Sequence, residues 1–144
     1  MSKVFCLLNH TLTDLQNVEL ESKFSATQII YPPAQLQSAW SEIPTVDELN
    51  PYIFKPFISW LLSNAHAEDY LVIQGEFGAT VCMVEFSFSK GLIPLHSVTK
   101  RVAKEHKVGE KVYRNYLFQH ICFRKYVSYS KLLENYDGDD LHCF

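Results

Sequence analysis

The alternation of short apolar runs with helical patterns predicts an α/β fold: a mainly parallel sheet with flanking helices and a C-terminal β-hairpin. Three short, largely apolar runs lie at residues 4–8, 28–31 and 69–73. Runs of this kind are typical of strands in a parallel sheet, where both faces are covered. Segments with helical spacing lie between them, as expected when helices connect parallel strands. The length of 144 residues predicts one domain that buries a core without the help of disulfides or metal ions.

A capping box predicts the first helix. Thr13 and Gln16 stand three residues apart, the spacing at which each side chain binds a free backbone N–H of the other residue. This pattern places the helix start near residues 11–13. Four apolar residues fall near one face of that helix: Leu12, Leu15, Val18 and Phe24.

Helical pieces are also predicted between the second and third strands. Residues 34–41 are a short helix candidate, and Thr-Val-Asp-Glu at residues 45–48 is a second capping-box pattern. Pro51 suits a first helical turn, whereas Pro56 kinks or restarts a helix. The pattern from residue 57 to residue 67 is helical. We expect these pieces to cover one face of the sheet.

The loop at residues 74–80 precedes a segment, residues 81–88, that fits two structures. Val, Phe and Thr are abundant there and favour a strand, which makes a hairpin through residues 75–78 the alternative. Gly91 is a helix stop signal, and the length of the run and the strand–helix alternation also favour a helix. Four apolar residues repeat at helical spacing: Phe77, Val81, Val84 and Phe88.

The last third of the chain predicts a fourth strand at residues 92–98 and then a hairpin. Lys-Val-Gly-Glu at residues 107–110 is a turn signal. Residues 112–126 are aromatic-rich and lack Pro and Gly, so we expect a strand that pairs with residues near 102–106. Beyond it we expect a helical turn and a solvated tail, at residues 132–135 and 137–140.

Composition excludes several classes of protein. The net charge of -3 argues against a protein that coats long nucleic acid, although a local basic pocket remains compatible with it. The six histidines form no short metal-binding motif, so we expect no metal site and no cofactor. The chain shows no signal peptide and no membrane-spanning stretch, and we expect a cytoplasmic protein. Three cysteines lie in apolar runs and are expected to be small core residues: Cys6, Cys82 and Cys122.

Three predicted strand ends carry groups suited to phosphate and ribose. In an open parallel sheet, ligands bind outside the carboxyl ends of the strands, near the point where strand order reverses. We therefore expect the three ends to form one ligand site. The candidate ligand-binding residues are Asn9, Gln74, Gly75, Glu76, Phe77, Gly78, Ala79, Thr80, Ser97 and Thr99.

Three residues are candidates for the chemistry. Lys100 and Arg101 carry charge that suits a phosphate, and His10 is a candidate general acid or base, with His96 as second choice. The alternatives are an exposed basic pair and a histidine that caps the following helix. His120 lies within the last long strand and is expected to be an ordinary sheet residue.

Two residues of the loop also have two interpretations each. Glu76 is either a ribose contact or base, or a charge that stabilises a helix N-terminus. Phe77 either stacks on a base or packs in a core or interface. If a helix starts here, free N–H groups from Gly75 to Ala79 form an anion site.

Several segments together resemble a known family. They are residues 4–10 (VFCLLNH), 30–33 (IYPP), 74–80 (QGEFGAT), 91–94 (GLIP) and 99–101 (TKR). The chain resembles the small stand-alone CRISPR-associated Csx proteins, most closely the Csx-twenty family, from the N-terminus to about Tyr126. The resemblance implies a CARF-like, Rossmann-type domain at residues 1–130, followed by a tail at residues 131–144.

The resemblance also implies a function beside type III CRISPR systems. Proteins of this kind resemble ring nucleases, which bind and degrade cyclic oligoadenylate, with cyclic tetra-adenylate as the expected ligand. They are typically homodimers that hold the ligand across the two-fold axis. The expected reaction is attack of a ribose 2′-oxygen on the adjacent phosphorus, with Lys100 or Arg101 offsetting charge and His10 handling a proton.

Three other interpretations stay open on sequence alone. The chain could bind the cyclic oligonucleotide without cleaving it, as a sensor or a sponge. It could be a Rossmann-like enzyme acting on a nucleotide or nucleoside, although it lacks the dinucleotide and P-loop fingerprints. It could also be an interaction protein that dimerises through its aromatic segment at residues 113–129.

Overall fold

A computed structural model of the chain describes residues 2–136, and the tail predicted at residues 137–140 lies outside them. These residues form an α/β fold, the class that the sequence predicts, and it has five strands and five α-helices. A 3-10 turn, Pro51–Phe54, precedes the third helix. The elements are β1 Ser2–Leu7, α1 Asp14–Lys23, β2 Ala26–Ile30, α2 Ala34–Ser41, α3 Lys55–Asn64, β3 Tyr70–Ile73, α4 Phe77–Ser89, β4 Ile93–Val108, β5 Lys111–Lys125 and α5 Tyr129–Glu134.

The sheet has the strand order β2-β1-β3-β4-β5. The β1–β2, β1–β3 and β3–β4 pairs are parallel, whereas β4 and β5 are antiparallel. The chain moves from β1 to β2 on one side and then returns to β3 on the other side of β1. The strand order therefore reverses between β1 and β3, and this is where an open parallel sheet leaves a crevice at its carboxyl edge.

Side chains from the two faces of the sheet form two cores. On one face, Val4, Cys6 and Leu95 pack with Leu20 of α1. On the other face, Phe5 and Leu7 belong to the core that α2, α3 and α4 close. The alternation of neighbouring residues between the two cores is the period of a strand covered on both sides. The prediction that the middle helices share one face of the sheet is confirmed.

The segment after the 74–80 loop is the helix α4, so the alternative hairpin is wrong. Its buried residues, Ala79, Met83 and Ser87, repeat every four positions, and this stripe faces the sheet. Glu76 caps the N-terminus of α4. The β-branched and aromatic residues of this segment occupy positions where tertiary packing outweighs their preference for strands.

The fourth strand does not end near residue 98, as the sequence predicts, but continues to Val108. β4 and β5 pair along their whole length and turn through Gly109 and Glu110, with Gly109 at a φ of 64°. Pairing with β5 gives β4 backbone partners after it leaves β3. Residues 99–120 thus form a two-stranded ribbon, called the arm below, in which most side chains are exposed.

Other local predictions are wrong for tertiary reasons. The capping-box pattern at residues 45–48 starts no helix, because that segment is irregular up to the 3-10 turn. Leu15 and Val18 are 80% and 57% exposed, since α1 buries Gln16 and Leu20 instead. Cys82 is exposed on the outer side of α4 rather than buried. Cys6 lies in the core as predicted.

Two absences hold for residues 2–136. No helix among them is both long enough and apolar enough to cross a membrane. No group of three or more His, Cys, Asp or Glu side chains in this part of the chain is placed to hold a metal ion.

Candidate functional site

The crevice between the carboxyl ends of β1 and β3 is closed by α2. The indole Nε1 of Trp40 donates a 2.9 Å hydrogen bond to the carbonyl oxygen of Gln74, just after β3. The side-chain amide of Gln37 donates to the carbonyl oxygen of Leu8, just after β1. These bonds satisfy the backbone at the two strand ends. A ligand at this edge must therefore lie above the crevice or beside it.

Gln74 and Gly75 have structural partners. The side-chain Oε1 of Gln74 accepts a 3.1 Å hydrogen bond from the backbone N–H of Ser97, which ties the end of β3 to β4. A Cβ atom on Gly75 would lie 2.7 Å from Nε1 of Trp40. Glycine is needed at this position because the buried indole approaches the backbone so closely.

The N-terminus of α4 is occupied by the chain's own carboxylate. Glu76 accepts hydrogen bonds from the N–H groups of Ala79 at 2.8 Å and Gly78 at 3.0 Å. These two bonds, that from Ala79 first, lower the pKa of the exposed Glu76 carboxyl. Glu76 is thus the helix-stabilising charge that was one of its two interpretations, and the expected anion site loses these two donors.

Two further residues of the loop have different surroundings. Phe77 is 90% exposed, so it is not a core residue. The hydroxyl Oγ1 of Thr80 is buried and has no hydrogen-bond partner among the described residues. It lines a cleft of about 460 Å³ between α4 and residues 126–130. The other predicted site residues lie away from this mainly apolar cleft.

The sheet separates Lys100 from Arg101. Along β4, alternate side chains point to opposite faces. Leu95 faces α1, so Ser97, Thr99 and Arg101 follow on the same face. Lys100 lies on the opposite face of the ribbon, together with His96. Lys100 and Arg101 therefore do not contact one phosphate together from the same face of the ribbon.

Asn9 and His10 lie on the loop that connects β1 to α1, and both are exposed. The Nδ1 atom of His10 is 3.0 Å from the carbonyl oxygen of Thr11, a local contact. Because the loop leads into α1, it lies on the α1 side of the carboxyl edge. Ser97, Thr99 and Arg101 face the same side.

Positive charge is concentrated in the hairpin of β4 and β5. Eight of the thirteen Lys and Arg residues lie between Ile93 and Lys125, but only two of the sixteen Asp and Glu residues do. The remaining sequence holds five basic and fourteen acidic side chains. Within the arm, the guanidinium carbon of Arg101 lies 3.6 Å from the centre of the Tyr116 ring, a cation–π contact that orients this side chain.

A hydrogen-bonded chain of three side chains lies where the arm leaves the sheet. The hydroxyl Oγ of Ser97 is 2.5 Å from Nδ1 of His120, and Nε2 of His120 is 3.0 Å from Oε1 of Glu19. The His120 and Glu19 side chains are each 16% exposed. An ionised carboxylate only accepts, so we assign the ring proton to Nε2 and let Nδ1 accept from the Ser97 hydroxyl. The three side chains thus stand in the order of a hydroxyl that can act as nucleophile or proton relay, a histidine base, and a carboxylate that orients the base.

A β-bulge turns His120 toward this chain. Val98 pairs with Cys122 and Thr99 pairs with His120, so Ile121 is an extra residue in β5. In a regular strand, residues three apart point to opposite faces. The extra residue places His120 on the α1 face together with Phe123, whose N–H donates to Glu19 at 2.7 Å. Bulges are frequent next to active sites, where they redirect a side chain.

Sequence reasoning missed Glu19 and interpreted His120 as an ordinary sheet residue. Glu19 and His120 are 101 residues apart, and no local pattern marks the bulge. The only sequence signal is the histidine within the largely apolar run at residues 117–123, whereas Glu19 lies among polar residues and carries no signal. Ser97 was predicted as a ligand contact, and the structure adds the histidine behind it.

His96, the second-choice proton carrier, lies in a different cluster. Its ring packs 4.7 Å from that of Tyr126, and its Nε2 accepts a 3.1 Å hydrogen bond from Nε of Arg124. Partial burial, and then the positive charge of Arg124, lower the pKa of His96. The neutral ring is the form that accepts the arginine N–H. His96 is thus engaged on the face opposite to Ser97.

Comparison with known proteins gives a family. A family model described as "Uncharacterized protein MJ1673 family" matches residues 2–124. The chain is 42% identical over 130 residues to "Uncharacterized protein MJ1673" from Methanocaldococcus jannaschii, covering 90% of this chain and 100% of that protein. No solved structure matches the chain significantly. The match spans the sheet, the arm and Glu19, Ser97 and His120, and the chain belongs to the MJ1673 family.

Proposed function

We propose that this protein is a ring nuclease that binds cyclic oligoadenylate, with cyclic tetra-adenylate as the preferred ligand, and cleaves it. The proposal includes a Rossmann-like, CARF-type fold, which the reversal of strand order between β1 and β3 supports. The observation that supports it is that Ser97, Thr99 and Arg101 face the same side of the sheet as the loop that holds Asn9 and His10.

The distribution of charge supports an anionic ligand at the arm. A cyclic oligoadenylate carries one negative charge per phosphate. The hairpin of β4 and β5 is basic, whereas the rest of the chain is acidic. A basic ribbon beside an acidic body attracts a small anion to one side of the molecule and away from the other. This fits a short cyclic ligand better than long nucleic acid.

Each residue on this side has a role that suits its chemistry. Arg101 offers guanidinium donors to a phosphate, and its contact with Tyr116 orients it before the ligand binds. Thr99 and Asn9 offer a hydroxyl and an amide that suit hydrogen bonds to phosphate or ribose. His10 is exposed and its Nδ1 has a local contact with the carbonyl oxygen of Thr11, which leaves Nε2 to protonate a leaving oxygen. The amides of Gly78 and Ala79 are left out, because they donate to Glu76.

The proposed reaction uses a nucleophile that the ligand itself supplies. The ribose 2′-oxygen attacks the adjacent phosphorus and forms a 2′,3′-cyclic phosphate, while the bond from phosphorus to the 5′-oxygen breaks. The 2′-hydroxyl loses a proton and the 5′-oxygen gains one. The protein's part is to orient the ribose and to offset the charge on the phosphate oxygens. Arg101 supplies that charge on the α1 side.

Binding and cleavage of labelled cyclic tetra-adenylate test the proposal. We expect the wild-type protein to bind the ligand and release linear fragments that end in 2′,3′-cyclic phosphate. We expect Arg101→Ala to weaken binding about tenfold or more, since a charge-assisted hydrogen bond contributes roughly 1.5–3 kcal/mol. Lys100→Ala is the matched control, because it removes the same charge from the opposite face of the ribbon.

The outcomes are distinct. Tight binding without products would leave a sensor or sponge and contradict the nuclease. A wild-type protein that does not bind the ligand would contradict the whole proposal. Wild-type behaviour of both Arg101→Ala and Lys100→Ala would show that the site is elsewhere. A stronger effect of Lys100→Ala than of Arg101→Ala would place the ligand on the α4 side of the sheet.

A further inference from the structure

We infer that Ser97, His120 and Glu19 form a proton relay that serves the proposed cleavage, with Ser97 as the group that contacts the ribose 2′-hydroxyl. The inference rests on the proposed function and assigns its proton acceptor. It differs from the expectation that His10, or as second choice His96, handles the proton.

The position of Ser97 is the first observation that supports the relay. The parallel pairing of β3 with β4 runs to Val72 and Leu95, so Ser97 stands just past the carboxyl edge of the parallel sheet. Its side chain faces α1, the side on which Thr99 and Arg101 lie. Its backbone N–H is held by Gln74, which fixes the residue at the edge. The hydroxyl thus lies on the same face as Thr99 and Arg101, and Thr99 is the nearer of these two proposed contacts along β4.

The orientation of His120 is the second observation that supports the relay. The ring is held at both nitrogens, by Glu19 at Nε2 and by Ser97 at Nδ1. Glu19 is itself fixed, because it accepts from the backbone N–H of Phe123. A base whose orientation is set by a third group is the general signature of an activated hydroxyl. The bulge at Ile121 exists at the one place that brings this ring onto the α1 face.

A purely structural role would account for the contact of Glu19 with Phe123 but not for the hydrogen bonds of His120. Glu19 could pin α1 to β5 through the Phe123 N–H without any histidine. A hydroxyl within 2.5 Å of an imidazole nitrogen, with a carboxylate behind the ring, adds a path for a proton. The backbone N–H of Ser97 is bonded to Gln74, so it offers no oxyanion donor. This argues for proton transfer by Ser97 rather than for nucleophilic attack by it.

The proton balance of the step is simple. The ribose 2′-hydroxyl gives its proton to Oγ of Ser97 as the Ser97 proton moves to Nδ1 of His120. The 2′-oxygen bonds to phosphorus, and the 5′-oxygen leaves with a proton from His10 or water. Glu19 stabilises the imidazolium that forms. His120 and Glu19 act through Ser97 and are positioning residues, whereas Ser97 touches the substrate.

Single-turnover cleavage of cyclic tetra-adenylate, with binding measured separately, tests the relay. We expect Ser97→Ala to lower the rate about 10²-fold, within the range of general-base contributions, and to change the dissociation constant less than about threefold. We expect His120→Gln to lower the rate to a similar extent, with the ligand still bound. Glu19→Gln keeps an acceptor for Phe123 and is expected to lower the rate without unfolding the protein.

Matched controls are Ser63→Ala and His66→Asn, which change the same residue types at exposed positions. Both are expected to cleave like the wild type. A wild-type cleavage rate for Ser97→Ala, with ligand still bound, would overturn the relay and leave the nuclease intact. A wild-type protein that neither binds nor cleaves the ligand would overturn both.

A readout without ligand keeps the relay falsifiable on its own. Nitrogen-15 NMR of the histidine side chains reports which ring nitrogen carries the proton. We expect His120 to be protonated at Nε2 with Nδ1 accepting a hydrogen bond, and Ser97→Ala to alter the Nδ1 signal. A His120 ring protonated at Nδ1 alone would contradict the assigned direction of proton transfer.

Discussion

At the scale of single residues, the neighbourhood decides what a side chain does. Gly75 and Glu76 look alike as parts of a glycine-containing loop, yet one exists to make room for Trp40 and the other to cap α4. Both roles are structural. The chemistry that we propose for this edge uses instead Ser97 and those side chains of the arm that face α1.

Gly75→Ala is expected to destabilise the protein by roughly 1–3 kcal/mol, the usual cost of overpacking. Its Cβ would lie 2.7 Å from Nε1 of Trp40, which is buried and hydrogen-bonded and cannot move away cheaply. Gly78→Ala is the matched control. Its Cβ would meet the flexible Cδ1 of Leu49 at 3.0 Å, and alanine is a better helix former. Urea unfolding of the two variants measures the difference, and equal stabilities would contradict the prediction.

Cys6 is expected to make stability fall at alkaline pH. Burial raises the pKa of its thiol from 9.0 to about 12. Between these values the unfolded thiol loses its proton while the folded one keeps it, so the folded state binds more protons and stability falls as pH rises. The slope is at most about 1.4 kcal/mol per pH unit.

Comparison with Cys6→Ala isolates this contribution, because the variant cannot titrate there. The stability advantage of the wild type over Cys6→Ala should be constant up to about pH 8 and shrink from pH 9 upward, as measured by urea unfolding. Cys82→Ser, at an exposed position, serves as the control. A difference that does not change with pH would disprove the prediction.

At the scale of elements, local signals were reliable where tertiary packing agreed with them. The Thr13–Gln16 capping box is formed at both bonds and starts α1. The same pattern at residues 45–48 starts nothing, because Pro51 has no N–H for a second helical turn and Asn50 before it is extended. A helix cap stabilises a helix that packing has already selected.

These two patterns offer a paired test. Thr13→Ala should destabilise the protein by about 1 kcal/mol, since the side chain accepts from the N–H of Gln16 at the start of α1. Thr45→Ala removes the same group from an irregular, exposed segment and should change stability by less than about 0.5 kcal/mol. Thermal or urea unfolding compares them, and an equal loss in both variants would be inconsistent with this account.

At the scale of the whole molecule, the arm is the feature for which the packing of the sheet and helices does not account. A ribbon of two strands is at best marginally stable in water, and this one exposes hydrophobic side chains along its length. Phe118 is 73% exposed, and Tyr116 and Leu117 are exposed on opposite faces. The arm is basic and the rest of the chain is acidic, so a second copy of this chain offers a complementary surface.

We therefore expect a homodimer in which the arm contacts the partner. Sedimentation analysis should show a dimer that weakens with salt, because opposite charges meet across the interface. Phe118→Ser should shift the protein toward monomer. Tyr52→Ser, which removes an aromatic ring that is 81% exposed outside the arm, should not. A wild-type protein that is monomeric at high concentration would refute this expectation.

The sequence by itself determined the α/β class, the parallel strands and the hairpin turn at Gly109, and it favoured a helix over a strand for α4, because these follow from short-range apolar spacing, caps and glycine. Only the tertiary structure decided that β4 continues through Lys100 and Arg101 and places them on opposite faces. It also decided that Ile121 forms a bulge and that Glu19 meets His120 across 101 residues. Strand register sets which face a side chain occupies, and register depends on the pairing partner, which no local pattern contains.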